Sequence, residues 1–314
     1  MKGLELSKEF YLQHGEPMLK KEFPQLFPYI ATGLIGSGSE CLGYDDGFSQ
    51  DHDFEPGFCI FLPDEDKVDR RTAFLLERAY EKLPREFMGY KRSLISPVGG
   101  SRHGVIRTSD FVCAKTGKRD GELSLEDWFY IPEQSLLELT SGELYFDGLG
   151  EFTEIRKKLS SFPEDVRLKK LAAVLLLMGQ SGQYNYKRLV RRGERAAAQM
   201  ALFEFTENAL HAAFLINGRY MPYYKWSFRA LSELHTLSQL YGSLEYLISN
   251  SNSDDEFKKK EETIESVCSE IIRELRARNL SGYQGDEAEG HAYSVNESVS
   301  DNTLRSRHIL FAAE

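Results

Sequence analysis

The chain has 314 residues, 41% hydrophobic and 28% charged, with a formal net charge of −10. That length exceeds what one hydrophobic core usually serves, so two domains are expected, and the composition excludes a disordered or fibrous chain. The acidic balance argues against anionic membrane surfaces. It also makes nucleic acid an unlikely partner, because binding to a phosphate backbone draws on a basic surface.

The four cysteines, Cys41, Cys59, Cys113 and Cys268, lack C-x-x-C spacing. This argues against a zinc site or a disulfide framework and fits a reducing compartment. The opening MKGLELSKEF carries no apolar signal segment. The most apolar run, Leu171 to Met178, is far shorter than the roughly 20 residues of a bilayer span. A soluble, cytoplasmic protein is the expectation.

Apolar side chains near helical spacing predict a helix from Ser7 to Phe23. The run Ile30 to Ile35, closed by Gly36, reads as a buried strand ending in a tight Gly-Ser turn. Cys41 to Gln50 reads as a loop. Asp51 to Leu62 reads as a strand interrupted at Pro56-Gly57, Asp69 to Lys82 as a helix, and Val105 to Val112 as a third strand. Alternation of strands and helices to about Gly150 predicts a first domain, 1–150, of α/β or α+β type with a mixed sheet. Helical patterns follow over Glu151–Leu159, Asp165–Met178, Lys187–Ile216, Trp226–Leu240 and Asp255–Asn279. They predict a helical-bundle domain over 151–280 with a polar linker at Ser249 to Asp255. The Gly-, Ser- and Glu-rich stretch after Ser281 reads as a mobile or loosely docked tail, 281–314.

The chemistry concentrates in Gly36-Ser37-Gly38-Ser39 and Asp51-His52-Asp53. Residues two apart on a strand share a face, so Asp51 and Asp53 present adjacent carboxylates. Two such anions tolerate each other when a divalent cation lies between them. Mg2+ (or Mn2+) suits one or two carboxylates with water and phosphate completing its shell. Glycines let a backbone approach phosphate closely, and Ser37 or Ser39 adds a hydroxyl donor. Carboxylates, metal and triphosphate together equip a site for in-line nucleotidyl transfer.

Two other motifs fail on spacing. An EF-hand loop starting at Asp51 needs Gly and Glu where Pro56 and Leu62 stand, and a Walker loop needs a Lys after its glycines. A catalytic base is less defined. Asp110 is the acid in the His103 to Cys113 stretch, and if Ile106 occupies the expected position the role passes to Glu122, Glu143 or Asp147. Of the seven histidines, His52 and His103 lie near the candidate site, His14, His211, His235, His291 and His308 form no metal spacing, and no Ser sits in a G-x-S-x-G elbow.

The pattern of apolar residue, Gly-Ser, a gap of about ten residues and Asp-x-Asp resembles the nucleotidyltransferase superfamily. Trp128 to Gln134, Gln180 to Arg188 and Asn217 to Trp226 extend the resemblance, over residues 5 to 280, to a bacterial nucleotidyltransferase-like family of unknown function. More distantly the layout is similar to the aminoglycoside nucleotidyltransferases. The resemblance implies a polymerase beta-like mixed sheet followed by a helical bundle. It also implies a nucleoside triphosphate (ATP) as co-substrate and Lys225 as a triphosphate contact, with Tyr220 in the same motif.

Arg188, Arg192 and Arg195, at helical spacing, form a further candidate phosphate-facing stripe, although a solvated face is the commoner use of such a run. The expected activity is transfer of AMP from ATP to an acceptor hydroxyl, with release of pyrophosphate. The acceptor is a small molecule or a protein hydroxyl. The competing expectation is a nucleotide-binding or interaction module on the same fold without turnover. A toxin-type modifier of a partner ranks below both.

Overall fold

The structure is a computed structural model that describes residues 1–50, 54–92 and 103–312. In chain order, α1 (Gly3–Phe10) runs through a π-helical turn (Tyr11–Gly15) into α2 (Glu16–Glu22). There follow β1 (Ala31–Leu34), α3 (Ser39–Leu42), β2 (Cys59–Leu62), α4 (Arg70–Glu81) and a small hairpin of β3 (Glu86–Phe87) and β4 (Tyr90–Lys91). Next come β5 (Gly104–Arg107), α5 (Thr108–Thr116), α6 (Asp127–Tyr130), α7 (Glu133–Thr140), β6 (Glu143–Asp147) and α8 (Glu151–Lys158). The remainder is helical: α9 (Glu164–Met178), a π-helical stretch (Gly179–Tyr186), α10 (Lys187–Arg191), α11 (Arg195–Ile216), α12 (Tyr224–Ser232), α13 (Leu240–Ser249), α14 (Asp254–Ala277), α15 (Ala288–Glu297) and α16 (Asn302–Ser306). The fold is α+β, with a small mixed sheet and many helices.

Two compact units divide the chain: Met1–Leu123 with Ser135–Ser160, and Ser124–Gln134 with Ser161–Glu314. The division differs from the single boundary expected at residue 150. Packing is the reason. Phe152 of α8 lies 4.6 Å from the Phe61 ring of β2 and belongs to the first unit, whereas Trp128 packs on Phe162 in the second.

In the first unit the sheet order is β5-β2-β1-β6. β1 is antiparallel to both β2 and β6, and β2 is parallel to β5. Successive side chains of β2 point to opposite faces. Ile60 and Leu62 enter a core with Leu6, Phe10, Leu19 and Leu76, while Phe61 meets Phe111 and Phe152 on the other side. Coverage on both faces explains why Cys59 to Leu62 is continuously apolar.

The expected third strand is corrected in part. β5 ends at Arg107, and α5 starts at Thr108. Val112 and Thr116, one helical turn apart, are its buried positions, so packing of a helical face overrides the β-branched character of the stretch.

In the second unit α9 is buried on nearly every side, including Leu171 to Leu176. Small residues allow neighbours to approach its extension. A Cβ on Gly182 would fall 2.4 Å from Phe205 of α11, and one on Gly179 would fall 3.1 Å from the Glu289 nitrogen of α15. Four expectations change here. The helix expected over Lys187–Ile216 breaks at Gly193, whose φ of +76° suits glycine. The helix expected to reach Leu240 ends at Ser232. The polar linker is pinned: the fully buried Lys260 donates to Leu247 O at 3.0 Å, Asn250 O at 2.7 Å and Asn252 Oδ1 at 3.0 Å. Finally, the tail expected to be mobile or loosely docked is helical and tightly packed, with Ala292, Val295 and Val299 wholly buried.

Candidate functional site

Strand directions decide which residues can meet. β1 ends where β2, β5 and β6 begin, so one end of the sheet gathers the turn after β1 and the segments leading into the other three strands. Gly36 and Gly38 shape that turn with φ of +130° and +124°, a region that side-chain-bearing residues avoid. Gly36 is buried, Ser37 is exposed, and Ser39 opens α3. All four residues of the Gly-Ser motif are therefore in one turn between a buried strand and a helix.

The turn is framed from behind. Tyr44 N donates to Ser39 O at 2.7 Å, and Gly142 N donates to Cys41 O at 2.9 Å. Gly142 has φ +75°, and a Cβ there would fall 2.0 Å from Leu34 O. Arg156 fixes this corner by donating to Leu139 O, Thr140 O, Ser141 O and Gly142 O at 2.8 to 3.2 Å. Gly142→Ala is expected to cost more than about 2 kcal/mol, combining left-handed strain with a backbone collision. Thermal denaturation checks this, and a Tm within error of wild type would remove the corner's assigned role.

Asp51 and Asp53 lie outside the described residues. Phe54, the next described residue, packs on Tyr90 with ring centres 5.0 Å apart. Just beyond it Glu55 Oε1 lies 3.3 Å from His103 Nδ1, with side chains 20% and 8% exposed. Gly57 makes this pair possible, since a Cβ there would be 2.7 Å from the His103 ring. Sequence reading noted that His103 was near the candidate site but assigned Glu55 no role. The signal was available in Asp-x-Asp-x-Glu, whose third acid continues the alternation.

Asp110 does not join this end. It sits in the first turn of α5, beyond the far end of β5, and Arg119 holds it at 2.6 Å. Arg119 also contacts Ser109 Oγ at 2.6 Å and Asp64 at 3.3 Å. Asp147 likewise belongs to the far end, where it accepts from Gly150 N, Thr153 N and Thr153 Oγ1 at 2.7 to 2.9 Å. Glu122 pairs with Lys158. Of the alternative acids, Glu143 is the one beside the turn, opposite Leu34 in the β6 pairing, and Lys8 binds it at 2.5 Å. β5 itself, Gly-Val-Ile-Arg, carries no acid.

The other candidates lie in the second unit. Lys225 is exposed in the first turn of α12, its Nζ 4.9 Å from the Trp226 ring centre. Tyr220 is 5% exposed, packs edge-on against Phe162 at 4.8 Å and has its phenol pKa pushed up by burial. Its surroundings are those of a packing residue. Arg188 lies over the Tyr184 ring at 3.9 Å. Arg192 is the C-cap of α10, and Arg195 starts a different helix, so the expected stripe is not one continuous face.

Against the backbone between Tyr220 and Lys225 lies a buried polar cluster that the sequence does not announce. Glu133 Oε1 accepts from His211 Nε2 at 2.6 Å and lies 3.8 Å from Lys170 Nζ. Glu133 Oε2 accepts from Met221 N at 2.9 Å, and Gln134 Oε1 accepts from Tyr223 N at 3.2 Å. Burial alone would raise the Glu133 pKa, but His211, Lys170 and the Met221 amide outweigh it and hold the carboxyl low. Burial pulls the Lys170 pKa down, opposed by Glu133. The cluster thus clamps the backbone that leads into Tyr223, Tyr224 and Lys225.

Among the described residues no group of three or more His, Cys, Asp or Glu side chains is arranged to hold a metal ion. No helix among them is long and apolar enough to cross a membrane. No curated protein matches the chain. Residues 128–227, which include the Glu133 cluster and Lys225, are similar to a family described as a domain of unknown function (DUF4037).

Proposed function

We propose that the first unit binds a nucleoside triphosphate with magnesium and supports nucleotidyl transfer to an acceptor hydroxyl. The observation that carries this reading is the Gly36–Ser39 turn. Two glycines with positive φ sit at the end of a buried strand, with Asp51-x-Asp53 following in the sequence. The turn suits phosphate on its backbone, because no Cβ at Gly36 or Gly38 stands between the amides and a ligand. Asp51 and Asp53 are the proposed metal ligands, and bound magnesium would supply charge neutralisation at the phosphates. Ser37 and Ser39 would donate to phosphate oxygens. Glu55, oriented by His103, replaces Asp110 as the proposed acceptor of the hydroxyl proton, since it shares the turn's end of the sheet.

A second reading has one observation in its favour: β5 lacks an acid at the position where a third carboxylate is expected. On this reading the unit binds nucleotide without turnover. Isothermal titration with ATP and Mg2+ is expected to show metal-dependent binding. The Asp51→Asn, Asp53→Asn double variant should weaken it by about 100-fold or more. Unchanged metal-dependent affinity in the double variant would sink the site assignment. Pyrophosphate release with candidate acceptors separates the two readings.

A further inference from the structure

A cavity of about 870 Å³ opens at the far end of the same sheet, where β2 and β5 finish and α5 and α8 start. It is about one strand length, roughly 13 Å, from the Gly-Ser turn. Its volume lies in the range of roughly 300–1,000 Å³ usual for small-molecule sites. The floor is apolar and aromatic. Ala31, Phe61 and Phe152 are each under 5% exposed, and Ile155 and Leu149 continue the surface. Tyr29, 48% exposed, places a ring at the rim.

Charge sets the ligand class. The lining holds six carboxylates (Asp64, Asp66, Asp120, Asp147, Glu151 and Glu154) and two cations (Lys67 and Arg119), a formal excess of four negative charges. Both cations are engaged, Lys67 with Glu151 at 2.8 Å and Arg119 with Asp64 and Asp110. The start of α8 offers an anion little, because Asp147 already accepts from Gly150 N and Thr153 N. Ser109 at the start of α5 is bound to Asp64. An anion would therefore meet net repulsion. A cation on an apolar body would meet carboxylates, an aromatic floor and the half-exposed Tyr29 side chain.

We propose that this cavity binds an organic amine with an aromatic or branched apolar body, independently of the nucleotide reading at the opposite end. The test uses tryptamine and indole-3-propionate, which share a ring and a two-carbon arm and differ in the sign of the charge. Titration calorimetry on the full chain is expected to show saturable tryptamine binding that weakens as salt rises. Indole-3-propionate should bind at least about fivefold more weakly. The exposed pair Asp66→Asn, Glu154→Gln should weaken tryptamine by about fivefold while leaving Tm unchanged. The proposal is overturned if neither compound binds, if indole-3-propionate binds equally well, or if the double variant retains full tryptamine affinity.

Discussion

Replacing Glu133 by leucine is expected to destabilise the second unit by about 3–5 kcal/mol, the range found when one partner of a buried ion pair is removed. The carboxylate side chain is 11% exposed and answers His211, Lys170 and the Met221 amide together. Leucine would fill the volume but leave a 9% exposed ammonium and a backbone N–H unpaired. Glu133→Gln keeps an oxygen for Met221 N and should cost less.

Acid should imitate the loss. The folded carboxyl has a depressed pKa, so its contribution is complete above the ordinary glutamate value of about 4.3 and disappears as pH falls through the lowered folded value. The Gln variant should therefore show a flatter stability profile below about pH 4.3. The chain's two tryptophans, Trp128 and Trp226, both lie in the second unit, so urea denaturation followed by Trp fluorescence reads this unit selectively. A leucine variant within about 1 kcal/mol of wild type would contradict the clamp.

The sequence is most legible where local signals and packing agree. The helix expected over Asp69–Lys82 is found at Arg70–Glu81, with Asp69 accepting from Thr72 N as its cap. β1 and its Gly-Ser turn are also where the apolar run and the glycines put them, since the positive φ values demand that residue type. The candidate site is legible only as far as this turn. Asp110 reads from its β-branched neighbours as a strand residue, but Val112 and Thr116 drive that segment into a helix, at the end of the sheet opposite the Gly-Ser turn.

The Glu133 cluster was beyond sequence reading for a different reason. Its members stand at positions 133, 170, 211 and 221, and nothing in local spacing joins a Glu to a His 78 residues away. Long-range polar satisfaction is a property of the fold. The arginine stripe failed because a single glycine, Gly193, outweighed a regular 4-and-3 spacing.

A chain ending at Leu280 should lose the cooperative Trp transition of the second unit, the largest effect expected from any change outside the candidate site. The stretch after Ser281 reads as mobile or loosely docked because it is rich in Gly, Ser and Glu. The spacing of its apolar residues nevertheless makes one buried face: Ala288, Ala292 and Val295 of α15, and Val299 just beyond its end, are each at most 1% exposed. Fully burying a Val, Leu or Ile contributes about 1.5–3 kcal/mol. Val295, Val299, Leu304 and Ile309 therefore account for roughly 6–12 kcal/mol as an upper bound, comparable to the roughly 5–15 kcal/mol of a whole domain.

Polar contacts add specificity. Asp165 of α9 accepts from Ser300 N at 2.9 Å and Asp301 N at 2.8 Å, and the wholly buried Lys169 donates to Asn296 Oδ1 at 2.8 Å and Arg307 O at 2.7 Å. Truncation would thus expose apolar surface of α9 and strip an interior ammonium of three acceptors at once, Arg305 O at 3.4 Å being the third. Lys169→Met in the full chain removes only the charge and its hydrogen bonds, and should cost about 1–3 kcal/mol. The order matters more than either value: truncation must exceed the point substitution by several-fold. A truncated protein whose Trp melting curve overlays the intact one would mean that the segment is an appendage and contributes nothing to the core it covers.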